Sequence, residues 1–295
     1  MIKYIKQKDI DYRKWDECVD QSINGLIYAY SWYLDIVAGK WDALVEDDYK
    51  RVMPLPFKNV SIIHKAFQPF FAQQLGVFSR DLPDENDIKR FLEAIPKKFI
   101  FIDIALNQYN HYTESSFKKS YRKTFLLDLI MPYEIIRSGY KKNHERNVKK
   151  AERSELFYRE DSNPDDVILA YRNSKGKQYP NITEEHYKDL KRLIFECVNK
   201  GIAQTIKAYD KNNNFCSGVV FFIHGKRIIL IFSGATEQSK ENGAMFGIID
   251  YIIKKHQQQE LVLDFEGSMD ENIARFYSGF GAKECLFLQV KKALI

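Results

Sequence analysis

At 295 residues, with 45% hydrophobic and 29% charged side chains, the chain has the composition of a globular protein and exceeds one ordinary domain. No apolar run approaches the roughly 18–20 residues needed to span a bilayer, and residues 1–9 lack the apolar centre of a signal peptide, so a cytoplasmic protein with no transmembrane segment is expected. The net charge of +5 is too small to argue nucleic-acid binding from the total, and four scattered cysteines without a neighbouring histidine predict neither a disulfide framework nor a metal site.

The first half opens with a strand at Ile2–Ile5, a helix over 12–19 and a helix over Ser31–Val37. Apolar or alternating segments follow at Trp41–Glu46, 50–57 and 61–71, the first two joined by the acidic turn of a hairpin. Pro54 and Pro56 predict a sheet edge or a bulge, because proline donates no ladder hydrogen bond. Acidic residues at 84–87 start a helix that Pro96 stops, and strands are expected over 98–106 and 123–129. The second half repeats this order. After a basic segment come a strand at 156–159, helices at 164–173 and Glu184–Asn199, and strands at Ala203–Tyr209, 216–224 and 227–232. A helix over 243–256, a strand over 261–265, a helix over 271–280 and a strand over 285–290 complete it. Pro180 and Asn181 read as entry to the Glu184–Asn199 helix. Hairpins mixed with crossover helices predict a mixed α/β (α+β) sheet, in two halves divided at about 135/136.

Charge is concentrated in one place. Arg137, Lys141, Lys142, Arg146, Lys149, Lys150 and Arg153 face only Glu145 and Glu152, a surplus equal to the whole net charge of +5. At the helical period, Lys142, Arg146, Lys149 and Arg153 fall within roughly 60° of one another, opposite Tyr140, His144, Val148 and Ala151. Such a row anchors phosphate or is simply a solvated face.

The run Ile273-Ala274-Arg275-Phe276-Tyr277-Ser278-Gly279-Phe280-Gly281-Ala282 resembles the closing helix and turn of GNAT and FemAB-like acyltransferases. Leu263-Asp264-Phe265-Glu266-Gly267-Ser268 resembles the acidic, glycine-ended strand of FemAB-type peptidyltransferases, and 228–235 with the helix over 243–256 resembles the central strand and cofactor-side helix. The resemblance covers residues 140–290 and implies two tandem GNAT-like lobes, 1–135 (degenerate) and 136–295. It also implies transfer of an acyl or aminoacyl group to an amine in the cleft between them. Lys240-Glu241-Asn242-Gly243-Ala244-Met245 departs from the glycine-rich loop with which GNAT enzymes hold coenzyme A pyrophosphate. FemAB-like proteins, which take the acyl group from aminoacyl-tRNA, lack that loop too.

Asp264 and Glu266, on one side of their strand by alternation, are candidate general bases, or else cap the next helix or pair with Arg275. Tyr277 is placed where a tyrosine protonates the leaving group, the alternative being core packing. Gln68, Gln73 and Gln74 line a substrate cleft or belong to an edge strand. Ser233, Gly234, Ser268 and Arg275 are expected to bind substrate, with an oxyanion donor from the strand over 228–232. The co-substrate is acyl-CoA or aminoacyl-tRNA, no metal is expected, and the partners are a small-molecule or peptide amine, with tRNA or a nucleotide-sugar precursor. Two readings compete: an acyl-CoA or acyl-ACP dependent N-acetyltransferase of a small metabolite, and a non-catalytic GNAT-fold binding module.

Overall fold

The computed structural model describes residues 1–60, 63–178, 182–267 and 269–293. The chain divides into two compact units, Met1–Arg122 with Leu286–Ile295, and Lys123–Cys285. The division therefore precedes the 135/136 expected from the element order, and the C-terminal segment returns to the first unit. The cause is strand pairing, which the element order does not reveal. The last strand runs antiparallel to a first-unit strand, with Gln289 opposite Ala105 and Ala293 opposite Phe101.

The first unit contains β1 (Ile2–Ile5), α1 (Tyr12–Asp20), α2 (Ser31–Val37), β2 (Trp41–Glu46), β3 (Arg51–Val60), β4 (Ile63–Phe67), β5 (Phe78–Ser79), α3 (Glu85–Glu93) and β6 (Phe99–Ala105). β2 and β3 form the predicted hairpin, turning through Asp47 and Tyr49 at positive φ. Pro54 and Pro56 lie opposite Ala43 and Trp41 of β2. On its other side β3 pairs with β5 at Arg51–Val52 and with β4 from Phe57 onward, so both prolines fall in the gap. Their missing N–H groups are tolerated there. α3 begins with a reciprocal capping box between Asp84 and Asp87 and packs Ile88, Phe91 and Leu92 into a core with Leu44, Met53, Phe99 and Ile104.

β7 (Lys118–Asp128) crosses from the first unit into the second. There follow α4 (Tyr133–Ser138), α5 (Lys142–Arg153), β8 (Phe157–Asp161), α6 (Asp165–Asn173), α7 (Glu184–Asn199), β9 (Ala203–Tyr209), β10 (Phe215–His224) and β11 (Arg227–Ala235). α8 (Ser239–Asn242), α9 (Ala244–His256), β12 (Val262–Asp264), α10 (Glu271–Ser278) and β13 (Lys283–Ala293) complete the chain. The strand order in the second unit is β7-β12-β11-β10-β9-β8. β12 runs parallel to β11 and antiparallel to β7, which is why three residues suffice for a buried central strand.

β11 contains a bulge: Val220 lies opposite Phe232 and Phe221 opposite Leu230, so Ile231 is the extra residue. The bulge reverses the side-chain alternation. Ile228 and Leu230 join the core with Ile248, Ile249, Ile252 and Ile253 of α9, whereas Phe232 meets Tyr171 of α6. A Cβ on Gly234 would lie 2.0 Å from the Val167 carbonyl oxygen of α6, so only glycine permits this approach. Phe265 and Phe280 are fully buried in the same core as α9, each contributing about 2 kcal/mol of apolar transfer.

Candidate active site and anion-binding face

Asp264 ends β12, where neighbours on both sides close it off from solvent. It is 1% exposed. One carboxylate oxygen accepts from Thr124 Oγ1 at 2.7 Å and from the Glu266 N–H at 3.0 Å; the other accepts from Arg227 Nη1 at 2.8 Å. A buried carboxylate needs such partners, and here an arginine supplies the countercharge. The ion pair is made with Arg227 rather than Arg275. Neither does Asp264 cap the following helix: Asp270 does, accepting from Asn272 and Ile273 N–H.

Strand geometry ends at Asp264, so the expected alternation does not extend to Glu266. Glu266 has φ 54° and Gly267 φ 46°. A Cβ on Gly267 would lie 2.1 Å from the Lys123 carbonyl oxygen, so the turn runs directly against the β7 backbone. This turn leaves Glu266 half-buried, with its carboxylate near enough to Tyr277 of α10 to act on the phenol electrostatically. The Tyr277 ring stacks on Phe265 at 4.8 Å between centroids and 29° between planes. Burial first, then the Glu266 and Asp264 carboxylates, push its phenol well above the usual value. Asp264 and the Glu266 backbone are joined by a hydrogen bond, and both carboxylates act electrostatically on the Tyr277 phenol. Tyr277 keeps its proton at neutral pH and can donate a hydrogen bond; Asp264 already accepts three hydrogen bonds, one of them from an arginine.

The other candidates are distributed differently. Arg275 is exposed and bonds its own helix, through Nε to Glu271 O and Nη2 to Asn272 Oδ1. Ser233 and Gly234 lie beyond the bulge in β11, and Ser268 lies outside the described residues, as do Pro180 and Asn181. The glutamines belong to the first unit and brace their own loop. Gln68 bonds Ala72 O and accepts from Ala105 N–H. Gln74, 1% exposed, bonds Gln73 and accepts from Gln108 N–H. The part-exposed Gln73 accepts the Gln74 amide.

α5 forms with the predicted two faces. His144, Val148 and Ala151 are buried, while Lys142, Arg146, Lys149 and Arg153 are exposed. Glu145 and Glu152 are both engaged by Arg137, and Lys149 adds a 3.2 Å pair to Glu145. The segment's negative charge is therefore held at one side. A cavity of about 410 Å³ is lined by Arg146, Asn147, Lys150, Arg153 and Ser154. Lys150 replaces Lys142 and Lys149 as the cation in that lining, because it leans toward α8 and bonds Lys240 O at 3.3 Å. Gly243, at φ 72°, ends α8 and starts α9 against Asn147 O. Three cations of α5 thus border one depression, which has the chemistry to hold phosphate. Sequence reasoning missed Arg227 and Thr124, whose positions emerge only from strand register. Among the described residues no cluster of three metal-ligating side chains occurs.

No family model matches the chain, and no curated protein sequence matches it. Solved structures do resemble it. FemX aligns over 97% of this chain and 96% of its own, with TM-score 0.68 at 10% identity. A conserved protein of unknown function from Bacteroides thetaiotaomicron VPI-5482 aligns over 99% of this chain and 100% of its own, with TM-score 0.60 at 12% identity. The C-terminal domain of a candidate lysylphosphatidylglycerol synthetase from Agrobacterium fabrum aligns over 95% of this chain and 91% of its own, with TM-score 0.57 at 9% identity. At such identities the shared property is the fold. The chain has the fold of FemX, and the mixed α/β architecture implied by the resemblance over residues 140–290 is the one observed.

Proposed function

We propose that the chain is an acyltransferase that moves an acyl or aminoacyl group from a phosphate-bearing carrier to an amine. The observation that carries this reading is the meeting of Tyr277 with Glu266 and Asp264 in a chain with the fold of FemX. The amine attacks the donor carbonyl, forming the C–N bond. The oxyanion forms beside the β11 bulge, with a backbone donor from the strand over 228–232. Glu266 takes the amine proton, because Asp264 is buried and paired with Arg227. Tyr277 gives its proton to the leaving oxygen as the C–O bond breaks, and Glu266, its neighbour, returns a proton to the phenolate. Arg146, Lys150 and Arg153 hold the carrier's phosphates.

A protonated phenol at this position suits an oxygen ester better than a thioester. An alkoxide leaving group needs an acid at expulsion, whereas a thiolate, with an ordinary pKa of about 8.5, leaves without one. The departure of residues 240–245 from a coenzyme A loop supports the same choice, an aminoacyl-tRNA type of donor. The test is single-turnover transfer from aminoacyl-tRNA to a panel of amines by the wild-type chain, Tyr277→Phe and Glu266→Gln. Both variants are expected to fold normally and lose transfer; undiminished transfer by both removes the assignment.

A further inference from the structure

His144 lies on the buried face of α5, 5% exposed, enclosed by Phe246 of α9 and Phe276 and Phe280 at the end of α10. Its ring centroid is 5.0 Å from Phe246, 5.8 Å from Phe276 and 4.7 Å from Phe280. Nε2 is 2.8 Å from the Phe276 carbonyl oxygen, while Nδ1 is buried with no hydrogen-bond partner among the described residues. A carbonyl only accepts, so the proton sits on Nε2 and the imidazole is the neutral Nε2–H tautomer. A Cβ on Gly279 would lie 1.8–2.2 Å from three atoms of this ring, so the helix end is cut to fit it. Two more contacts tie the same ends together: Lys141 N–H donates to Gly279 O at 2.9 Å, and Lys141 Nζ to Ser278 Oγ at 3.2 Å.

An apolar packing role alone would not require a ring nitrogen aimed at one backbone carbonyl. The residue whose carbonyl is held directly precedes Tyr277. We propose that His144 is a positioning residue: its Nε2–H, donated to Phe276 O, fixes the rotation of α10 so that Tyr277 lies over Phe265 beside Glu266. This rests on the reading of Tyr277 as the proton donor. The phenol's orientation depends on α10 having one setting. Ring contacts of His144 with Phe276 and Phe280 and one hydrogen bond give it that setting from α5.

Two substitutions separate the donor from the packing. His144→Phe fills the aromatic enclosure without an N–H, and His144→Gln keeps an amide donor near Nε2 but removes the ring. The full chain, with tyrosine ring resonances labelled and Tyr277 assigned by its loss in Tyr277→Phe, is the probe. The Tyr277 resonance, displaced by stacking on Phe265, is expected to move toward the unstacked position in His144→Phe and to stay near wild type in His144→Gln. Exchange of the Lys141 amide is expected to quicken on the order of tenfold in His144→Phe. Transfer is expected to fall about ten- to hundredfold there, through kcat with KM little changed. An unmoved Tyr277 resonance in His144→Phe overturns the proposal. So does the Nδ1–H tautomer in the nitrogen spectrum of the wild-type chain, a measurement that needs no variant to fold. A displaced resonance with transfer untouched by Tyr277→Phe leaves the latch standing and removes the catalytic reading instead.

Discussion

Asp264 and Arg153 are charges in the same unit with opposite circumstances. The first is 1% exposed and accepts three hydrogen bonds, one from an arginine. The second is exposed on α5, lining an open depression beside Arg146 and Lys150. A charge folded into a sheet has its electrostatics satisfied internally, so it supports geometry. A row of exposed cations on one helix keeps its field for a ligand. Glu266 and Tyr277 are the groups next to Asp264 to which the proposed transfer assigns proton movement, whereas Asp264 is held within the sheet by Thr124 and Arg227.

The comparison breaks most visibly at Asp264. Asp264→Ala leaves Arg227, 18% exposed, without its countercharge, and unfolding by denaturant is expected to show a loss of about 3–5 kcal/mol. A loss under about 1 kcal/mol would mean that Asp264 is not the structural charge described. Next in size is an effect on transfer alone. Tyr277→Phe removes a hydroxyl that bonds no described residue, so stability should change by less than about 1 kcal/mol while single-turnover transfer drops about a hundredfold. On the other side of the comparison, replacing Arg146, Lys150 and Arg153 together with alanine should leave stability within about 1 kcal/mol. RNA binding should weaken, with the salt slope flattened by about two to three phosphate equivalents in a titration against ionic strength.

The smallest expected effect concerns pH. Burial holds His144 and His256 below their ordinary value of 6.5, and Lys141 adds to the depression at His144. A base whose folded pKa is depressed favours the neutral folded form. As pH falls through 6.5 the unfolded chain takes up the proton first, and stability present above that pH is lost toward the folded value. Thermal midpoints should therefore fall below pH 6.5, less steeply in His144→Phe; an identical slope in that variant would contradict the buried neutral imidazole.

Helices were the most legible elements in the sequence. The two faces of α5 follow from its periodicity, and the α3 cap from Asp84 and Asp87. Tyr277 and the acidic pair were legible through motif, but their environment was not. Thr124 and Arg227 reach Asp264 across 140 and 37 residues of sequence, distances that only strand register resolves. Alternation failed at Glu266 because Gly267 must pass the β7 backbone, forcing a turn. The role of the glutamines is hard to read for a related reason: an amide that closes a loop on backbone N–H and C=O groups has the same residue type as one that binds substrate. The unit boundary was displaced because β7 and β13 are each continuous strands, with no turn residues to mark where the chain changes units.

The central claim is that Tyr277 serves an oxygen-ester donor. Its most direct measurement is a single-turnover comparison of matched donors carrying the same acyl group, one as a tRNA ester and one as a coenzyme A thioester, in the wild-type chain and Tyr277→Phe. Transfer from the ester is expected to collapse in Tyr277→Phe, with the thioester far slower and indifferent to the substitution. Efficient transfer from the thioester, or ester transfer that survives loss of the phenol, would contradict it.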